Sequence, residues 1–141
     1  MKTYVLDAGA LTLLLLGDER LSSYVNEISR GTAKAYTSVV NLAELYYKTA
    51  DRIGRETADA WYFRILNSNL VVVSVDAPLA REVGVYKSKY KRLLSLADCF
   101  ALALSVKEKA LLLTTDNDFQ EVKEIQAVSY THLTLPTKRI V

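Results

Sequence analysis

Leu70 to Val75 reads LVVVSV, and Asp76-Ala77-Pro78 follows at once. Such a continuous β-branched run predicts a strand covered on both faces of a parallel sheet. Asp76 at the cap and Pro78 in the first turn predict a helix directly behind it. The same alternation recurs outward in both directions. Upstream, Thr3 to Leu6 is a short apolar strand that stops at Asp7-Ala8-Gly9-Ala10 before a leucine-rich helix. A polar helix over Leu21 to Arg30 leads through Gly31 to a second strand near Ala35 to Thr37. Ser38 then caps a helix from Val39 to about Asp51, and another covers Arg55 to Leu66. Downstream, Leu93 to Val106 is the most apolar helix and Ala110 to Thr115 a fourth strand. A short helix follows Asp116 and ends near Glu124, and Ile125 to Val128 is a candidate fifth strand. Strands alternating with helices predict an α/β fold, three layers deep, with a mostly parallel sheet of four to five strands at its centre.

A chain of 141 residues is one domain's worth and buries roughly two-thirds of the surface its unfolded form would expose. Residues 1–128 carry the periodicity of that domain. Ser129 to Val141 (SYTHLTLPTKRIV) loses it and resembles a vector-derived read-through tail, so it is set aside from the fold. Lysine and arginine number 18 against 16 acids; without Lys138 and Arg139 of the tail the balance is neutral, which argues against a protein that coats nucleic acid through overall charge. Cys99 is the only cysteine, so an internal disulfide framework and a cysteine-rich zinc site are excluded and a reducing compartment is expected. The longest uncharged leucine-rich stretch, Ala8 to Leu16, is far short of the twenty or so residues that span a bilayer, and Asp7 interrupts any leader reading, so the expected location is cytoplasmic, with no membrane partner. The only histidine, His132, lies in the tail. The domain therefore has no imidazole for general-base or triad chemistry, and catalysis has to rest on carboxylates.

Four acids call for explanation. Asp98 is the only charged residue between Leu93 and Val106, and an ionised carboxylate buried in so apolar a helix costs on the order of several kcal/mol unless cations or donors compensate it; the alternative is that Asp98 caps a helix beginning at Cys99. Asp7 and Asp116 each follow an apolar strand, where a parallel sheet presents its carboxyl ends to ligands, and each could equally cap the next helix. Glu44, between Ala43 and Leu45, reads on its own as an ordinary solvated glutamate. Taken together, the four are expected at one edge of the sheet, and converging carboxylates repel. Hard oxygens of that kind suit Mg²⁺ or Mn²⁺, whose charge removes the repulsion. Asp118 reads as a further ligand or as a helix cap.

The ordered set VLDAGAL (5–11), TSVVNLAEL (37–45), SLADCFALALS (95–105) and LLLTTDNDF (111–119) resembles the PIN-domain ribonucleases, and most closely the toxin half of bacterial and archaeal toxin–antitoxin pairs. The resemblance spans about residues 1 to 128, with 37, 54 and 18 residues between successive acids. It implies that Asp7, Glu44, Asp98 and Asp116 form an acidic quartet, that Thr114 is the hydroxyl residue two positions before the last acid, and that the strand order is 3-2-1-4-5. It further implies RNA phosphodiester hydrolysis leaving a 5′-phosphate, and a homodimer inhibited by a small antitoxin laid along a groove near the acids. One or two Mg²⁺ ions would activate water, with Asp7, Asp98 and Asp116 holding the principal ion and Glu44 holding a second or orienting the water.

An acidic cluster repels RNA, so basic contacts are needed elsewhere. Tyr86-Lys87-Ser88-Lys89-Tyr90-Lys91-Arg92 offers phosphate contacts from Lys87, Lys89, Lys91 and Arg92 and stacking from its tyrosines; the plainer explanation is a helix end whose cations suit its dipole. Leu11 and Leu13 to Leu16 exceed one core-facing stripe, so either all are buried or some meet a partner. Trp61-Tyr62-Phe63 suits core or interface. Two rivals stand beside the nuclease. One is an inactive RNA- or antitoxin-binding module whose acids are all caps. The other is a phosphatase with Asp7 as nucleophile, whose pattern needs an aspartate where this chain has Gly9.

Overall fold

Short apolar runs, each stopped by a residue that caps the next helix, build this molecule. The computed structural model describes residues 1–130. Their elements are β1 (Lys2–Leu6), α1 (Ala8–Leu15), α2 (Ser22–Ser29), β2 (Ala33–Ser38), α3 (Val39–Arg52), α4 (Arg55–Leu66), β3 (Val71–Val73), α5 (Ala77–Lys89), α6 (Leu96–Glu108), β4 (Leu111–Thr114) and β5 (Ala127–Ser129). Short 3₁₀ turns at Glu19–Leu21 and Asn117–Glu121 precede α2 and follow β4. Asp7, Ser38, Asp76 and Ser95 each accept a backbone N–H at the start of a helix, and Pro78 sits in the first turn of α5. Each such cap is worth about 1 kcal/mol.

All five strands run parallel in the order β3-β2-β1-β4-β5. Tyr4 of β1 is level with Ala35 of β2 and Leu111 of β4, and Leu6 with Leu113, so the ends of β1 and β4 finish side by side. Successive residues of a strand point to opposite faces, and the core divides accordingly. Leu6 and Leu113 join Leu11, Leu13, Leu42, Leu45 and Ile65 on one side. Val5 and Leu112 join Val83, Leu102, Leu104 and Phe119 on the other. The result is the three-layer α/β/α arrangement that the pattern predicts.

Three expectations change in detail. The valine run forms only Val71–Val73 and lies at the sheet's edge, with Val71 46% exposed, instead of being covered on both faces. Its composition matches that of a central strand; position in the sheet is set by which partner it finds. The apolar helix begins at Leu96, not Leu93, because Ser95 supplies its cap. Ordered structure also passes residue 128: Ser129 pairs with Thr114, and the Tyr130 amide donates to the Thr114 carbonyl at 2.8 Å while its ring is buried. The remainder of the set-aside segment, 131–141 with His132, lies outside the described residues. In the leucine run Leu11, Leu13 and Leu15 are buried, Leu14 and Leu16 half-buried. Trp61 and Tyr62 pack on the core, whereas Phe63 is 57% exposed.

Candidate active site

β1 and β4 end next to each other, and a cleft of about 310 Å³ opens there. Asp7, Glu44, Asp98 and Asp116 all line it, together with Thr12, Thr115, Lys48 and Arg52. Residues 109 positions apart in the chain thus share one wall, because a parallel sheet delivers its strand ends to a single edge.

Asp7 is the buried member, 5% exposed. Its Oδ1 accepts the Ala10 amide at 2.9 Å and its Oδ2 accepts the Thr114 hydroxyl hydrogen. Burial pushes its carboxyl up to about 7; the hydrogen bonds from Thr114 and Ala10 oppose that shift, and the charges of Asp98 and Glu44 add to it. Thr114 is fully buried, and its Oγ1 also accepts the Asp116 amide at 2.9 Å. Asp116 Oδ1 accepts the Asp118 amide at 2.8 Å. The Asp116 carboxyl is likewise pushed up, first by burial and then by the neighbouring Asp98 carboxylate. Gly9 allows this closeness: a Cβ there would lie 1.8 Å from Thr115 Oγ1, so only glycine lets the first turn of α1 approach the end of β4.

Asp98 is not buried within an apolar helix. It stands half-buried in the first turn of α6, in a reciprocal capping box: its amide donates to Ser95 Oγ at 3.1 Å and its Oδ2 accepts the Ser95 amide at 3.0 Å. The later helix start removes the desolvation argument and replaces it with a place on the cleft rim. Glu44, on α3, pairs with Lys48 one turn on, at 2.9 Å. Asn41, 1% exposed, ties α3 to α6: its Nδ2 donates to the Ala97 carbonyl at 3.2 Å, and its Oδ1 accepts from the Ser38 hydroxyl at 2.6 Å. Asp118, half-buried, does not line the cleft.

None of the basic residues from 87 to 92 lines the cleft either. Lys87 donates to the Lys91 and Leu94 carbonyls at 2.7 and 2.9 Å, and Lys89 pairs with Glu124 at 2.5 Å. Lys91 and Arg92 remain exposed. Tyr86 is buried, and the Tyr90 hydroxyl donates to Glu124 at 2.5 Å. The cations that do line the cleft, Lys48 and Arg52, were legible as the i+4 and i+8 positions from Glu44 on one helix face, and Thr12, Thr49 and Thr115 supply its hydroxyl lining.

Among the described residues no three acids, cysteines or histidines stand in a ready-made metal cage, and no helix is long and apolar enough to cross a membrane. The family model of the PIN domain matches residues 4–125. Among solved structures, the DNA-bound VapBC from Salmonella typhimurium is similar at a TM-score of 0.72 and 17% identity, covering 92% of this chain and 98% of that one. VapBC2 from Rickettsia felis, bound to a promoter DNA fragment, follows at 0.69 and 18%, covering 90% and 98%. VapC20 from Mycobacterium tuberculosis, described as a sarcin-ricin loop cleaving toxin, is similar at 0.68 and 21%, covering 87% and 98%. No curated protein matches in sequence. At these identities the structural likeness is one of fold.

Proposed function

The chain belongs to the PIN domain family, and on that premise we propose that it is a metal-dependent endoribonuclease, the toxin of a toxin–antitoxin pair. One observation carries the reading: Asp7, Glu44, Asp98 and Asp116, from four separate segments, line a single cleft at the carboxyl edge of the sheet. The donor set suits Mg²⁺ or Mn²⁺. Its groups are hard oxygens, and Asp7 and Asp116, whose carboxyls burial and then the neighbouring carboxylates push up, are groups that a bound cation would stabilise in their ionised form.

Asp7, Asp98 and Asp116 would hold the ion, which when bound supplies positive charge to activate water and to stabilise charge developing on the phosphoryl group. Thr114 orients Asp7 and, by hydrogen bonding to its ionised form, favours the state that binds a cation. Glu44, which also lines the cleft, would hold a second ion or orient the attacking water. Asp118 acts by fixing Asp116 through its amide. Lys91 and Arg92 remain candidates for RNA contacts beyond the cleft, whereas Lys87 and Lys89 already serve the fold.

The antitoxin partner is part of the same proposal, supported by the toxin–antitoxin complexes among the similar folds. An apolar groove between α3 and α4, lined by Val39, Leu42, Tyr46, Tyr62 and Phe63, is a surface its segment would meet. Homodimer formation and a cytoplasmic setting belong to this proposal too.

The inactive-module alternative draws on a specific fact: Asp7, Asp98 and Asp116 each also accept a local backbone amide. The phosphatase alternative loses support, since Gly9 stands where its pattern needs an aspartate and packs directly on the Thr115 side chain. Calorimetric titration with Mn²⁺, beside Mg²⁺-dependent cleavage of single-stranded RNA, separates nuclease from module. The wild-type chain is expected to bind and cleave, and Asp98→Asn to melt at the same temperature, since its amide oxygen still accepts from Ser95, yet lose cleavage. A folded wild type that takes up no divalent ion, or an Asp98→Asn chain with full activity, rejects the nuclease.

A further inference from the structure

Four carboxylates in one cleft create a problem for a polyanionic substrate, and two side chains on the cleft wall answer it. Glu44, Lys48 and Arg52 occupy i, i+4 and i+8 of α3, one face of the helix, in steps of about 6 Å. All three line the cleft. Lys48 is held at Glu44, 2.9 Å away, with its side chain half exposed. Arg52, one turn further on, is exposed and has no side-chain hydrogen bond or ion pair among the described residues. Placement in the last turn of α3 suits Arg52 to the helix dipole, but that leaves its position on the cleft unexplained.

We propose that Lys48 and Arg52 form a phosphate-binding ridge that carries the single-stranded RNA substrate away from the acids along α3, with Glu44 holding Lys48 until a phosphate displaces it. The inference rests on the nuclease reading and adds the path of the strand. A strand that enters an acidic cleft needs cations on the cleft itself, and the basic stretch at 87–92 does not reach it. A guanidinium takes a phosphate through two parallel N–H donors, and an ammonium takes it as a mobile point charge, so the unpaired arginine and the loosely paired lysine suit successive phosphates.

Fluorescence anisotropy with a short single-stranded RNA in EDTA, where cleavage is silent, tests this across a series of salt concentrations. The double variant Lys48→Met/Arg52→Gln is expected to bind about tenfold more weakly. Its plot of log affinity against log salt should be shallower by about 1.4, two phosphates at roughly 0.7 each. Glu44→Gln should bind several-fold more tightly, because it frees Lys48 and removes a negative charge. Both substituted positions are exposed; should the double variant melt early, Arg52→Gln alone carries the test, with half the change in slope. Manganese titration of the wild type and of Arg52→Gln accompanies it, and the two should coincide. A wild type that cleaves RNA beside a double variant with undiminished affinity and slope overturns the ridge and leaves the nuclease standing. A wild type that binds no RNA in EDTA overturns the ridge, and only a wild type that also fails to cleave RNA with Mg²⁺ overturns the nuclease.

Discussion

Thr114, the last residue of β4, donates its hydroxyl hydrogen to Asp7 at the end of β1, and the same oxygen accepts the Asp116 amide at 2.9 Å. One buried hydroxyl thereby sets the separation of two acids that the chain places 109 residues apart. The pairing of Leu6 with Leu113 brings the two strand ends level, and the hydroxyl converts that register into a fixed side-chain geometry.

Thr114→Val keeps the shape and removes the oxygen. It should cost about 1–3 kcal/mol in urea unfolding, because the Asp116 amide loses its acceptor in a buried site. It should also raise the Asp7 proton affinity further, since a bond to the charged form is lost. Thr114→Ser, which retains the hydroxyl, should recover most of the stability.

Asp7 makes metal-free stability depend on pH. Its carboxyl titrates near 7 in the folded chain against an ordinary value of 3.8. The unfolded chain releases this proton first, so the contribution of Asp7 to stability is fully present at or below about pH 4, declines as pH rises towards 7 and is lost above that, whereas the lowered carboxyls of Asp18, Glu27 and Glu124 act in the opposite sense at acid pH. Asp116, shifted the same way, adds to the slope. A shift of about three units corresponds to roughly 4 kcal/mol. Thermal unfolding in EDTA between about pH 5 and pH 8 should therefore show a falling melting temperature, and Asp7→Asn should flatten it. A wild-type profile as flat as that of Asp7→Asn would contradict this account.

Gly9→Ala should destabilise the fold by at least about 2 kcal/mol, because its methyl group would overlap the Thr115 hydroxyl within the tight junction of α1 and β4. The paired variant Gly9→Ala/Thr115→Ala should regain part of the loss, and comparing the two by chemical denaturation isolates the clash.

Asn41→Ala takes away the acceptor of the Ser38 hydroxyl hydrogen and the side-chain donor to the Ala97 carbonyl, while Ser38 Oγ still accepts the residue-41 amide, at a cost of about 1–2 kcal/mol. The bond it removes holds the first turn of α6, and hence Asp98, against α3. Manganese affinity should fall although no acid has changed, and Asn41→Gln should not restore it, because the longer amide does not fit a site this closed. Calorimetry with an unfolding curve for each variant separates loss of positioning from loss of fold.

Local chemistry made much of the architecture legible. Asp76 with Pro78, Ser38 before Val39, and the apolar runs at 3–6 and 110–115 read correctly because caps and strand periodicity are set by neighbouring residues. The Leu70–Val75 run misled on position, since a β-branched segment looks the same at the centre of a sheet and at its edge. Asp98 misled on burial, since one residue's choice of cap at Ser95 moves a carboxylate from mid-helix to the first turn.

The sequence by itself determined an α/β chain with no histidine among its described residues, and it singled out the four acids. Only the tertiary structure decided that Asp7 is the buried one, that Thr114 joins it to Asp116, and that Lys48 and Arg52 rather than the cations at 87–92 share their cleft. The reason is physical: desolvation and proximity depend on what packs around a side chain, and that is settled by strand register and helix crossing, over distances that local composition does not encode.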